Sequence, residues 1–154
     1  MEYIQSNKNE SGCVFCNCCE QPDGPDNLIV VRGQRAFVIL NRFPYTSGHL
    51  MVVPYDHHPS LELLEPETRA EIMEQTSRAL IVLTAEYHPQ GFNLGVNIGE
   101  AAGAGILDHV HMHIVPRWSG DTNFMSALSS TRVLPEALEE TYWRVRSAWE
   151  KKDV

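Results

Sequence analysis

The segment His109-Val-His-Met-His-Ile-Val115 sets three imidazoles at strictly alternate positions in an otherwise apolar run. In an extended strand successive side chains alternate faces, so His109, His111 and His113 point one way, about 6.6 Å apart along the strand. Val110, Met112 and Ile114 point the other way, toward a core. Three imidazoles on one face are costly to bury unless each finds a partner. Two chemistries fit the pattern: a metal site, or a nucleophile flanked by partners. Parallel side chains of one strand converge only partly on a single ion. A nucleophilic imidazole instead needs one nitrogen held by a partner and the other left to attack. His111, with a ring on each side, is the expected nucleophile, and His113 and His109 flank it. Such a nucleophile would take up a phosphoryl centre and split one hard displacement into two easier ones.

All four cysteines fall within seven positions, at Cys13, Cys16, Cys18 and Cys19. A cluster this tight cannot close the long loops that make a disulfide scaffold worthwhile. Cys13-Val-Phe-Cys16 has the two-residue spacer that lets two thiolates reach one tetrahedral ion, and Cys16-Asn-Cys-Cys19 repeats it in an overlapping register. No second CxxC follows, so an ion here needs two ligands from distant histidines; otherwise these are free thiols of a reducing compartment. Upstream of the histidines, Asn97-Ile-Gly-Glu-Ala-Ala-Gly-Ala-Gly105 is rich in small residues. Glycines let backbone N–H groups approach an anion. The spacing is not that of a P-loop, and the loop is either a plain connection or, beside a histidine nucleophile, a phosphate cradle.

The elements that must position these groups are short. Leu28–Val31 and Ala36–Leu40 are predicted strands joined by the turn Arg32-Gly-Gln-Arg35. His49–Pro54 is a third strand, Gly91–Ile98 a fourth with Phe92, Leu94, Val96 and Ile98 on one side, and Val110–Pro116 a fifth. Pro66 can open a helix, and Glu67–Tyr87 continues it with Met73, Leu80, Leu83 and Tyr87 on one face. Pro135–Lys151 reads as a closing helix with Tyr142, Trp143 and Trp149. Residues 119–134 read as irregular, and 1–12 as a loose segment before a single domain spanning 13–151. Trp118, Trp143 and Trp149 would suit an interface, unless the last two simply pack their helix.

The 154 residues, 43% hydrophobic and 21% charged, have room for one domain with a core. A net charge of −8 disfavours a nucleic-acid polymer as partner. A small anion remains admissible, with Arg32, Arg35, Arg42, Arg117 and Arg132 as donors, although most of the five are expected to be ordinary surface arginines. No apolar run reaches the roughly 20 residues that span a bilayer, and the first residues lack the pattern of a signal peptide. The expectation is a cytoplasmic enzyme acting on a small molecule, away from membranes.

The His-Val-His-Met-His-Ile-Val run resembles that of the histidine triad superfamily of nucleotidyl hydrolases and transferases. Asn41-Arg-Phe-Pro-Tyr-Thr-Ser-Gly-His-Leu-Met-Val-Val-Pro54, Asn97-Ile-Gly and Pro116-Arg-Trp-Ser-Gly-Asp121 match that family in the right order, the last as in its fragile-histidine-triad branch. The loop 95–105 with Pro-Arg-Trp after the triad is most similar to bacterial diadenosine tetraphosphate phosphorylases. The resemblance implies an α+β fold: an antiparallel five-stranded sheet with one long helix and a C-terminal helix, two sheets pairing in a homodimer or larger homo-oligomer. It implies a nucleotidyl-histidine on His111, with His113 against phosphate oxygens and water or orthophosphate as acceptor. It implies that Asn41 holds ribose, that His49 lines the cleft, and that Asn97, Gly103, Gly105 and Arg117 serve the substrate. Zinc-bearing members use residues matching Cys13, Cys16, His57 and His109, with His58 able to replace His57; magnesium would accompany the substrate's phosphates. Ile106 stands where the phosphoramidase branch carries serine, which disfavours a nucleoside phosphoramidate hydrolase. A non-catalytic zinc- or nucleotide-binding module is the reading from another class.

Overall fold

The computed structural model describes residues 12–121 and 136–151. Two uninterrupted apolar pentads make the middle of the sheet: β2 (Ala36–Leu40) and β3 (Leu50–Pro54) are buried at every position. A strand reads this way when both of its faces are covered. β1 (Ile29–Arg32), β4 (Gly91–Val96) and β5 (Met112–Arg117) complete an antiparallel sheet in the order β1-β2-β3-β5-β4. A short helix, α1 (Val14–Cys19), carries the cysteines. The long helix α2 (Pro66–Tyr87) lies over β2, β3 and β5, and α3 (Leu138–Glu150) packs against α2 and β1. The α+β architecture with five antiparallel strands is therefore as expected, while residues 1–11, 122–135 and 152–154 lie outside the described residues. These include most of the segment read as irregular, Arg132, and the Pro135 start of the last helix.

Several expectations are corrected. The buried stripe of α2 is Thr68, Ile72, Thr76, Ala79, Val82 and Leu83, whereas Met73 is 49% exposed. Two threonines complete the inner face, and Thr76 hides its polarity by donating its hydroxyl to the Ile72 carbonyl at 2.7 Å. The fourth strand ends at Val96 rather than Ile98, so Ile98 lies beyond it; Ile98 and Leu94, the latter on the edge strand β4, are both exposed. The last described helix begins at Leu138. Trp149 is buried and packs that helix, Trp118 is half-buried, and Trp143 is 51% exposed.

The hairpin between β1 and β2 is tied to α2 by the Glu71 carboxylate, which accepts from the backbone N–H groups of Arg35 and Ala36. The loop from β2 to β3 is closed where the Asn41 N–H donates to the His49 carbonyl at 3.0 Å. It is fastened to β5 by the Thr46 hydroxyl, which donates to the Pro116 carbonyl at 2.8 Å. Gly48 turns the chain into β3 with φ of 77°, and a Cβ there would meet Leu83 Cδ2 at 3.0 Å. Gly48→Ala is expected to cost about 2 kcal/mol, from left-handed strain plus crowding against α2. Urea unfolding should show the loss as a lower midpoint at unchanged slope.

Candidate active site and metal cluster

The triad does not lie on a regular strand throughout. The β3–β5 ladder begins at Met112, which pairs with Val52, and the Val110 N–H instead donates to the His58 carbonyl at 2.7 Å. That departure from the ladder sends the three rings to different partners. His109 is buried; its Nε2–H donates to the Pro54 carbonyl at 2.8 Å, which leaves the Nδ1 lone pair facing Cys13 Sγ at 3.4 Å and Cys16 Sγ at 3.8 Å. His111 is buried and donates Nδ1–H to the His109 carbonyl at 2.9 Å, so the lone pair of its neutral ring sits on Nε2. His113 lies opposite Met51 and Gly95, and the glycine leaves room beside its ring. The His111 and His113 centroids are 4.7 Å apart, edge to face.

Burial keeps all three imidazoles neutral. Desolvation lowers His109 and His111, and for His113 desolvation with the neighbouring His111 pushes the ring down to about 4. The unfolded chain binds a proton at this residue near 6.5, so between 6.5 and 4 it holds more protons than the folded chain. Stability is thus complete above pH 6.5 and falls as the pH drops toward 4, by about 3 kcal/mol from this residue. His113→Asn should flatten the pH dependence of the urea midpoint over that interval.

Cys13, Cys16, His57 and His109 place one ligand atom each within 4.8 Å of one another. His57 Nδ1 lies 3.4 Å from Cys16 Sγ, and its ring stands at 81° to that of His109. His58, the other candidate, is outside this group and contributes its backbone carbonyl to Val110. Burial and the adjacent Cys13 and Cys19 push the Cys16 thiol up to about 11, so charged thiolates here call for a cation. Two sulfurs and two imidazole nitrogens, one of them with its tautomer set by a backbone carbonyl, are the donor set of a structural tetrahedral ion. Cys18 and Cys19 lie outside the four.

The other expected residues divide. Asn41 is buried at the mouth of the β2–β3 loop, its Oδ1 accepting from the Phe43 N–H at 2.9 Å and its Nδ2 turned to His49 Nδ1 at 3.4 Å. His49 is fully buried and joins the triad through Nε2, 3.1 Å from His113 Nδ1. Asn97 is half-buried, and Gly103 (φ 81°) and Gly105 are exposed, while the amides of Ala102, Gly103 and Ala104 are spent inside the loop on the Gly99 and Glu100 carbonyls. Arg117 is already committed: it holds Asp121 through two nitrogens at 2.6 and 2.8 Å and Asn93 through the third at 2.6 Å. Arg32 pairs with Asp23 and Arg42 donates to the Asp26 carbonyl, so these two serve the scaffold as well.

Two residues that the sequence did not single out organise the site. Phe15 sets its ring edge-on against both His109 and His111, at 5.3 and 5.0 Å. Asn27 is buried and holds α1 to β1, its Nδ2 donating to the Cys18 and Gln21 carbonyls while Oδ1 accepts from Gly24 and Ile29. The aromatic inside the CxxC spacer was a visible signal for Phe15. Asn27 was hidden among the turn formers of 20–27.

The HIT domain model matches residues 24–120. The chain belongs to the HIT domain family. It is 39% identical over 127 residues to a protein of Mycobacterium tuberculosis named AP-4-A phosphorylase, a match that covers 82% of this chain and 65% of that one. The chain thus spans just under two thirds of that relative's length. Among solved HIT structures, a zinc-bound histidine triad family protein from Mycobacterium smegmatis superposes with a TM-score of 0.71 at 30% identity, covering 90% of this chain and 93% of that one. A histidine triad nucleotide-binding protein from Sulfolobus tokodaii gives the same TM-score at 25% identity, over 90% and 92%. Among the described residues no helix is long and apolar enough to cross a membrane.

Proposed function

We propose that the protein is a dinucleoside polyphosphate phosphorylase or hydrolase that works through a nucleotidyl-histidine on His111. The observation that carries this is the tautomer of His111, whose Nδ1–H is given to the His109 carbonyl at 2.9 Å. The Nε2 lone pair attacks the α-phosphorus, the bond to the bridging oxygen breaks, and the electron pair leaves with the departing nucleotide. The ring then carries a positive charge, which the His109 carbonyl stabilises through the same hydrogen bond. In the second step an oxygen of orthophosphate or water attacks phosphorus, and the P–N bond breaks to restore the neutral ring. His113 stands beside the phosphate oxygens, and the 99–105 loop can serve them only with amides other than those of Ala102, Gly103 and Ala104, which its own carbonyls hold. Asn41 and Asn97 are the ribose and phosphate contacts of this proposal. Arg117 takes part only by releasing Asp121.

Cys13, Cys16, His57 and His109 would hold a structural zinc ion, whose charge neutralises the thiolates and ties α1 to the strand end. The ion would leave His111 to the chemistry, and magnesium would travel with the substrate's polyphosphate. Two chains are expected to pair along the β4 edge, where Leu94 and Ile98 are exposed. The cysteine-only N-terminal cluster favours a reducing compartment such as the cytoplasm.

The test is incubation with diadenosine tetraphosphate, with and without orthophosphate, followed by anion-exchange separation. ADP and ATP formed only with phosphate make the protein a phosphorylase. AMP and ATP formed in both tubes make it a hydrolase. No turnover in either tube overturns the proposal and favours a phosphoramidase or a binding module.

A further inference from the structure

The relay that reaches His113 starts outside the triad, at a residue of the β2–β3 loop. Nδ1 of His49 faces two donors. The Tyr45 backbone N–H donates to it at 3.1 Å, and Asn41 Nδ2 lies at 3.4 Å, oriented there because Asn41 Oδ1 is taken by the Phe43 N–H. A nitrogen that accepts a hydrogen bond carries no proton, so the proton of neutral His49 is on Nε2. That Nε2–H lies 3.1 Å from His113 Nδ1 and donates to it. His113 must then carry its own proton on Nε2, the nitrogen remote from His49. The Tyr45 amide, with Asn41 Nδ2 beside it, therefore fixes two tautomers in series.

The Tyr45 side chain holds that amide in place. Its ring stacks on the His49 imidazole, with centroids 4.9 Å apart and planes 28° apart, while its outer side leaves the residue 52% exposed. Stacked there, the ring covers one face of the imidazole whose Nδ1 accepts from the Tyr45 amide. With His49 reversed, His113 would present a lone pair toward an anionic substrate in place of an N–H. The Thr46 latch to the Pro116 carbonyl keeps the same loop against the strand that carries His113.

We infer that Tyr45 is a positioning residue: its amide and ring together lock His49, and through it His113, into the tautomer that donates from His113 Nε2. The kinetic consequence rests on the phosphoryl-transfer function proposed above, but the tautomer itself does not. Long-range 15N–1H correlation spectra of uniformly labelled wild type, Tyr45→Phe and Tyr45→Ala read the tautomers directly. The amide fingerprint of each variant checks that it is folded. Wild type and Tyr45→Phe should show His113 protonated on Nε2 alone, since the substitution keeps both the amide and the stacked ring. Tyr45→Ala should mix the two tautomers of His49 and His113. With diadenosine tetraphosphate its kcat should fall about 10-fold while KM stays within about twofold. An unchanged His113 tautomer in Tyr45→Ala overturns the inference whatever the kinetics. A raised KM at unchanged kcat also overturns it, by making Tyr45 a nucleobase platform. If wild type turns over no dinucleotide, the function proposed above fails, and the spectra still decide the role of Tyr45.

Discussion

Replacing His111 by alanine is expected to lower turnover of diadenosine tetraphosphate by at least about 10,000-fold while nucleotide affinity stays within a few-fold. The size of the effect follows from covalent chemistry. Without the Nε2 lone pair no nucleotidyl-enzyme forms, and neither the glycine loop nor His113 can supply an attacking atom. His113→Ala is expected to be milder, at about 100-fold, because it removes a hydrogen-bond donor rather than the nucleophile. Kinetics give the first comparison, and a quenched reaction with substrate labelled on the α-phosphate gives a second. Wild type should trap label as a phosphoramidate on His111, and His111→Ala should trap none. Turnover surviving in His111→Ala at more than about one hundredth of wild type would sink the mechanism. Lost nucleotide binding in that variant would mean that the change had damaged the pocket as well.

Removing the metal is expected to have the largest effect on stability. The four candidate ligands join α1, the segment after β3 and the chain just before β5, so an ion there would crosslink parts of the chain that meet only in the folded state. Chelation of the purified protein should lower Tm by roughly 10 °C, equivalent to about 4 kcal/mol for a chain of this size. Cys16→Ser should reproduce the loss and bring the zinc measured by elemental analysis from one equivalent per chain to none. The controls are sharp because the candidates are adjacent in sequence. Cys18→Ser and His58→Asn lie outside the ligand group and should keep both metal and Tm, whereas His57→Asn should not. A purified protein without zinc, with a Tm indifferent to chelator, would remove the ion from the account.

Much of this site was legible before any folding was considered. Alternation at 109–115 is a local property of extended chain, so the sequence by itself determined that three imidazoles recur at every second position, whereas the break in the ladder before Met112 decided which partner each ring meets. The Cys13–Cys16 spacer, the two buried pentads and the start of α2 at Pro66 are local in the same sense, and they are where expectation and structure agree. Polar residues defeated the pattern in α2, where Thr68 and Thr76 complete the buried stripe and Met73 lies outside it. The exposure of Leu94 was also beyond reach, since strand order rather than alternation decides which strand is the edge.

Tertiary structure alone decided which nitrogen does what. The choice of His57 over His58 depends on where the chain after β3 meets α1. The tautomers depend on single backbone groups: the Pro54 carbonyl for His109, the His109 carbonyl for His111, and the Tyr45 amide acting through His49 for His113. Arg117 could be ranked a phosphate donor in sequence because its type suits an anion, yet its three nitrogens close on Asp121 and Asn93. Spacing reports which face a side chain occupies, because strand geometry repeats every two residues. Hydrogen-bond partners brought from distant segments set its protonation and its free lone pair, and no local pattern carries that information.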